Sequence, residues 1–200
     1  ARPKKAAKKK KTQPIQVAGN TTLDASPTGS IMLDDLANDF ATVEIVSALN
    51  AMVVDANPIE LGDVNIASGG TFDVIADGIS FGSTSINASG AAVTLSGGDT
   101  GITSGTAAVD VTADSLIVAA GMAGIGSSDN PLTMSVATLI TNTCDASADQ
   151  FLSETDSVTV LGLDACEGTI TLSSGTFTLG AGEVIHDVTD VTINSPAVLD

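Results

Sequence analysis

The sequence predicts an all-β protein built as a parallel β-solenoid, and three observations carry that prediction. Strand-like runs are many, short, and broken by Gly, Asn, Asp, Ser and Pro at roughly 7–12-residue intervals. The runs are dominated by β-branched residues, and several alternate with period two, as in Gly168-Thr169-Ile170-Thr171-Leu172 and Thr176-Phe177-Thr178-Leu179. A loose self-similarity also recurs: Val64-Asn65-Ile66-Ala67-Ser68-Gly69-Gly70 returns as Ser85-Ile86-Asn87-Ala88-Ser89-Gly90-Ala91. Aligning Ile66 on Ile86 gives an offset of 86 − 66 = 20 residues, a period that signals stacked rungs.

The elements follow in order. Residues 1–14 form a basic, low-complexity tail closed by Pro14, with nothing apolar to bury. Residues 15–200 carry the strands. The candidates are Ile31–Leu33, Val43–Val46, Ala51–Val54, Val64–Ala67, Thr71–Ala76, Ala91–Leu95 and Ala107–Thr112. They continue with Leu116–Ala119, Met134–Ile140, Ser157–Leu161, Gly168–Leu172, Thr176–Leu179 and Val191–Ile193. Asp34–Ala41 is the nearest approach to an amphipathic helix, and Asn38-Asp39 interrupts it.

A Greek-key sandwich competes with the solenoid for such a pattern. Composition favours the solenoid. The chain has five Phe, no Trp and no Tyr, so its apolar mass is Val, Ile, Leu and Ala, which suit a narrow bore. Uncharged Ser, Thr and Asn suit outward positions repeated every ~4.8 Å, where stacked like charges would repel. At about 20 residues per rung the body gives roughly nine rungs and on the order of 43 Å of rise. No amphipathic helix follows Val191–Leu199, so the end of the solenoid is expected to be open.

Charge is divided sharply. The chain holds 7 Lys and Arg against 24 Asp and Glu, a net charge of −17. All the cations, Arg2, Lys4, Lys5, Lys8, Lys9, Lys10 and Lys11, lie in the tail; the body has none. The body therefore has no means of neutralising phosphates, no Arg clamp, no P-loop lysine and no Schiff base. No apolar run approaches the roughly 18–20 residues of a membrane-spanning helix. The start, Ala1-Arg2-Pro3-Lys4-Lys5, has no apolar segment behind it. It reads as a processed or excised N-terminus rather than a secretory signal peptide.

Two cysteines, Cys144 and Cys166, are 166 − 144 = 22 residues apart, about one rung. That places them at similar positions on adjacent rungs. The rung spacing of about 4.8 Å lies inside the usual Cα–Cα window of a disulfide, so a bridge is expected over two buried free thiols.

Several stretches resemble repeats of filamentous-haemagglutinin-like exoproteins, large secreted bacterial adhesins and surface proteins. They are Gly29-Ser30-Ile31-Met32-Leu33 followed by Asn38-Asp39-Phe40, and Val54-Asp55-Ala56-Asn57-Pro58-Ile59-Glu60-Leu61-Gly62. A third is Ile125-Gly126-Ser127-Ser128-Asp129-Asn130-Pro131-Leu132, continued by Val136-Ala137-Thr138-Leu139. The similarity covers most of residues 15–195. The resemblance implies a right-handed parallel β-helix at the cell surface. The basic tail is not a feature of those repeats.

Candidate chemistry is sparse. Asp34-Asp35 and the pair Asp73/Asp77 offer paired carboxylates of the kind glycosidases use. With no aromatic platform for sugar rings and no cation to orient a uronate, they read as solvated turn acids. Gly97-Gly98-Asp99-Thr100-Gly101 is a single echo of a calcium-binding nonapeptide, without the repeat that makes such a site. His186 is the only imidazole, too isolated in sequence for a zinc site, and no Gly-x-Ser-x-Gly elbow is present. No cofactor, no metal and no enzymatic activity are expected. The tail has four possible roles: binding nucleic acid, binding lipid or wall polymer, remaining solvated, or docking on a neighbouring copy. Complementarity of tail and body favours the last. The expected function is a structural subunit of an extracellular, cell-surface filament, a homopolymer stacked head to tail. The alternative is an adhesin segment that binds surface polysaccharide or host matrix.

Overall fold

A computed structural model of the chain describes residues 13–145, 147–181, 185–186 and 190–194. The tail cations Arg2 to Lys11 lie outside the described residues. The described chain is all-β, a parallel β-solenoid of about 8 turns, one fewer than the expected nine. Its strands are β1 (Gln16–Asp24), β2 (Ser30–Leu33), β3 (Asp39–Val54), β4 (Pro58–Phe81), β5 (Ile86–Thr103), β6 (Val111–Ala120) and β7 (Leu132–Asn142). The last turns hold β8 (Gln150–Glu154), β9 (Ser157–Asp164), β10 (Thr169–Ser173), β11 (Thr176–Leu179), β12 (Ile185–His186) and β13 (Asp190–Asn194). Every pairing between them is parallel.

The rung count differs because the turns are longer than the self-similarity suggests. Register steps run from 60 − 42 = 18 residues (Thr42 with Glu60) to 111 − 86 = 25 (Ile86 with Val111). The repeated motif itself pairs Val64 with Ile86 and Asn65 with Asn87, an offset of 22 rather than 20. Strands also run through corners where Gly and Ser would be expected to end them. β4 is 24 residues long and crosses Ser68-Gly69-Gly70, with a register shift there. In a solenoid the neighbouring rungs bend at the same place, so the parallel ladder persists around the corner. One corner needs glycine: Gly101 has φ +76° and an added Cβ would lie 2.6 Å from the Gly124 carbonyl oxygen, while Gly124 repeats the left-handed φ one rung on.

Inward side chains form columns along the bore. One reads Ile31–Ala51–Phe72–Val93–Leu116–Leu139–Val160–Leu179, rung after rung. A second reads Leu33–Val53–Val74–Leu95–Val118–Thr141–Leu163–Ile185. The outward column beside the first is Ser30–Asn50–Thr71–Ala92–Ser115–Thr138–Thr159–Thr178, uncharged throughout. Asn50 donates to the Ser30 hydroxyl and Thr71 to the Asn50 carbonyl, each at 3.3 Å. Neutral ladders of this kind bond along the axis where charges would repel.

Two strand expectations change. The run Ala107–Thr112 forms no strand before Val111; residues 104–110 are loop, because Asp110 turns inward and ties that loop down. β1, β8 and β12 lie outside the candidate runs altogether.

Candidate functional site

The two ends of the solenoid are its most distinctive surfaces. The strand network terminates at β1 and β2 on one side and at β11, β12 and β13 on the other. Among the described residues, each terminal rung packs against one neighbouring rung. Val17, Leu23, Ala25, Ile31 and Leu33 at the first end, and Ile185, Val191 and Ile193 at the other, are therefore only partly buried. Interior members of the same columns, such as Val53, Val74 and Leu95, are fully buried. Leu33 and Ile185 open and close one column, so each end presents the other's missing neighbour. At the first end a cleft of about 120 Å³ is lined by Gln13, Ile15, Met32, Leu33, Asp34, Asp35 and Asn38. Gln13, the first described residue, lies at this end.

The carboxylates mostly serve the backbone. Asp35 accepts from the Ala37 amide (3.1 Å), Asp24 from Ser26 (2.9 Å), Asp63 from Ser85 (3.2 Å), and Asp149 from both the amide and the hydroxyl of Thr169 (2.8 and 2.7 Å). Asp77 accepts from the Thr100 hydroxyl one rung on (3.0 Å), while Asp73 sits in an outward column between Met52 and Thr94. Clefts of about 290 and 240 Å³ occur on the flanks, and each is lined by a single carboxylate, Asp39 or Asp156. Neither brings together the carboxylate pair that glycoside hydrolysis requires.

Several buried polar groups escape a reading of the sequence. Asp110 is fully buried and accepts from the Ser104 hydroxyl (2.6 Å), the Gly105 amide (3.1 Å) and the Thr133 amide (2.9 Å). Gln150 interrupts the inward run Ile79–Ile102–Ile125–Gln150–Ile170–Val191. It accepts from the Thr141 hydroxyl and donates to Thr143 Oγ1 (3.1 Å) and the Asp164 carbonyl (2.8 Å). Thr141 is the polar member of its own aliphatic column, so the two exceptions satisfy each other inside the bore. Asp55 accepts the Phe40 amide (2.6 Å) and the Asn57 amide (2.8 Å); burial still pushes its carboxyl above the usual range.

Glu154 ends the inward column Leu23–Ile45–Val64–Ile86–Val111–Met134–Glu154. It accepts the Val136 amide (3.1 Å) and the Thr155 amide (3.1 Å). Burial, reinforced by the Asp156 carboxylate, pushes its pKa up to about 8 from the usual 4.5. The folded state thus holds a proton that the unfolded chain releases. Stability from this group is full below pH ~4.5 and is lost as pH rises towards ~8. Glu154→Gln keeps one acceptor and one donor without the charge. The variant is expected to match the parent at pH 5 and to exceed it by about 1–3 kcal/mol at pH 9 in urea unfolding. Equal stability of the two at pH 9 would show that Glu154 ionises freely.

The structure joins Cys144 to Cys166, with Cα atoms 4.8 Å apart on adjacent turns. Asp164 Oδ1 accepts the Cys166 amide (3.3 Å) and lies 2.7 Å from Cys144 Sγ. The backbone of His186 pairs with Asp164. Comparison with family models, curated proteins and solved structures finds no match for the chain.

Proposed function

We propose that the protein is a non-enzymatic structural subunit of an extracellular bacterial filament, akin to the filamentous-haemagglutinin-like repeats, with subunits stacked head to tail. The observation that carries this reading is the matched pair of ends. Both end rungs hold half-buried apolar side chains, and among the described residues no further strand pairs with the outer edge of either. A heterologous contact between unlike ends does not close on itself and propagates a fibre. Stacking sets Ile185 of one copy in line with Leu33 of the next and continues the column. The tail adds polarity. Twelve residues reach about 40 Å when extended, and eight turns rise about 38 Å. From the first end, a tail can therefore run along the acidic flank of the copy stacked beneath it. That copy offers the only obvious complement to seven clustered cations, since the body carries no Lys or Arg.

Electron micrographs of the purified chain are expected to show fibres with an axial repeat near 38 Å. Val191→Lys, which places a charge on the stacking face, is expected to abolish them. Removal of residues 1–12, or salt near 1 M, is expected to raise the concentration needed for assembly. Monodisperse single subunits over a wide concentration range would sink the proposal. A second reading rests on the 240 Å³ flank cleft, whose lining of Ser89, Thr112, Ser135, Asp156 and Ser157 offers hydroxyls to a surface polysaccharide. In that case a glycan screen gives a saturable ligand, and substitution of Ser135 by Ala weakens it.

A further inference from the structure

We propose that reduction of the Cys144–Cys166 disulfide converts this corner of the solenoid into a binding site for a soft divalent cation such as Zn²⁺. The cation would be held by the two thiolates and Asp164, with water as the fourth ligand. Ligand atoms of Cys144, Asp164 and Cys166 lie within 4.8 Å of one another and are half-buried. Two sulfurs and one carboxylate oxygen at that separation fit around one tetrahedral ion.

Local backbone holds the group together independently of the bridge. Asp164 is anchored by its contact with the Cys166 amide, and its carbonyl receives both the Thr143 amide (2.8 Å) and the Gln150 side chain. Asn142 Oδ1 accepts the Cys144 amide at 2.8 Å. Cys166 has φ 50°, a left-handed conformation uncommon outside glycine. Strained, over-determined positions of this kind cluster where a side chain must be aimed.

The charges couple metal to redox state. Reduction by a dithiol breaks the Sγ–Sγ bond. The reductant delivers two electrons and two protons, becomes a disulfide itself, and leaves two thiols. Ionising both beside Asp164 would gather three negative charges in a body without Lys or Arg. A divalent cation offsets that repulsion, and its binding releases the two thiol protons to solvent. Metal therefore stabilises the reduced form, and oxidation by a disulfide expels the metal.

The test uses the full chain and Co²⁺ as the spectroscopic stand-in for Zn²⁺. Reduced protein, freed of reductant without oxygen, is expected to bind one Co²⁺ with a thiolate-to-metal charge-transfer band and the visible bands of tetrahedral cobalt. Zn²⁺ should displace it, and the oxidised protein should show neither band. Asp164→Asn keeps the amide acceptor and is expected to weaken binding at least tenfold. Absence of the bands in the reduced protein overturns the proposal. So does a band of equal strength in 8 M urea, which would come from two thiols on an unfolded chain. Failure of the metal to restore native circular dichroism, if reduction loosens the last turns, overturns it as well.

Discussion

Phe72→Ala is expected to lower stability by about 3–5 kcal/mol, the range for truncating a buried aromatic ring. Phe72 is fully buried in the middle of its column, between Ala51 and Val93 on the adjacent turns. The small Ala51 below gives the ring its room. That arrangement also fixes the size of the loss, because neither an alanine nor a β-branched valine held in a ladder can swing in to fill the space. Phe151 is the control. It lies on the half-buried face of β8, and Phe151→Ala is expected to cost about 1 kcal/mol or less. Urea unfolding of both variants measures the difference. Equal losses would mean that the inward and outward faces of these turns are not as described.

Asp110→Ala is expected to cost about 2–3 kcal/mol, as a buried donor left without a partner costs ~1–3 kcal/mol and this change strands the buried Gly105 amide and two half-buried donors besides. The donors come from two neighbouring turns: the Ser104 hydroxyl and the Gly105 amide on one, the Thr133 amide on the next. Asp110 is thus a clip between a loop and the following rung rather than a surface charge. Asp110→Asn preserves an acceptor oxygen and is expected to lose less than half as much. Hydrogen exchange localises the effect: in Asp110→Ala, the Gly105 and Thr133 amides should exchange with solvent faster than their neighbours. If they remain protected, another group has taken over the carboxylate's role.

The outward columns were the most legible part of the molecule. Thr71, Thr138, Thr159 and Thr178 share a column because period-two alternation fixes which residues face out, and neutral hydroxyls tolerate stacking. The buried polar groups were not legible, and the reason is specific. In Gln150-Phe151-Leu152-Ser153-Glu154 the alternation has two phases, and the more hydrophobic choice would bury Phe151. The structure buries Gln150, Leu152 and Glu154, in register with Ile170 and Leu172 on the next turn. Five residues of alternating polarity do not reveal which phase the adjacent rung imposes. Likewise, Ala107–Thr112 reads as a strand until Asp110 is seen to bond three donors that are distant in sequence or in an irregular loop.

From the sequence alone come the all-β class, the stacked rungs, the neutral outer ladder and the confinement of every cation to the first eleven residues. These are properties of local pattern and composition, which alternation, β-branching and charge placement record residue by residue. Only the tertiary structure decides the number of turns, since register steps between 18 and 25 residues blur any single period. It alone decides which acids enter the bore, which glycines sit at shared corners, and that Asp164 and the backbone of His186 lie beside the cysteine bridge. Each of these depends on how one turn meets the next. A turn's length is set by how its neighbours bend, and a single strand does not carry that information.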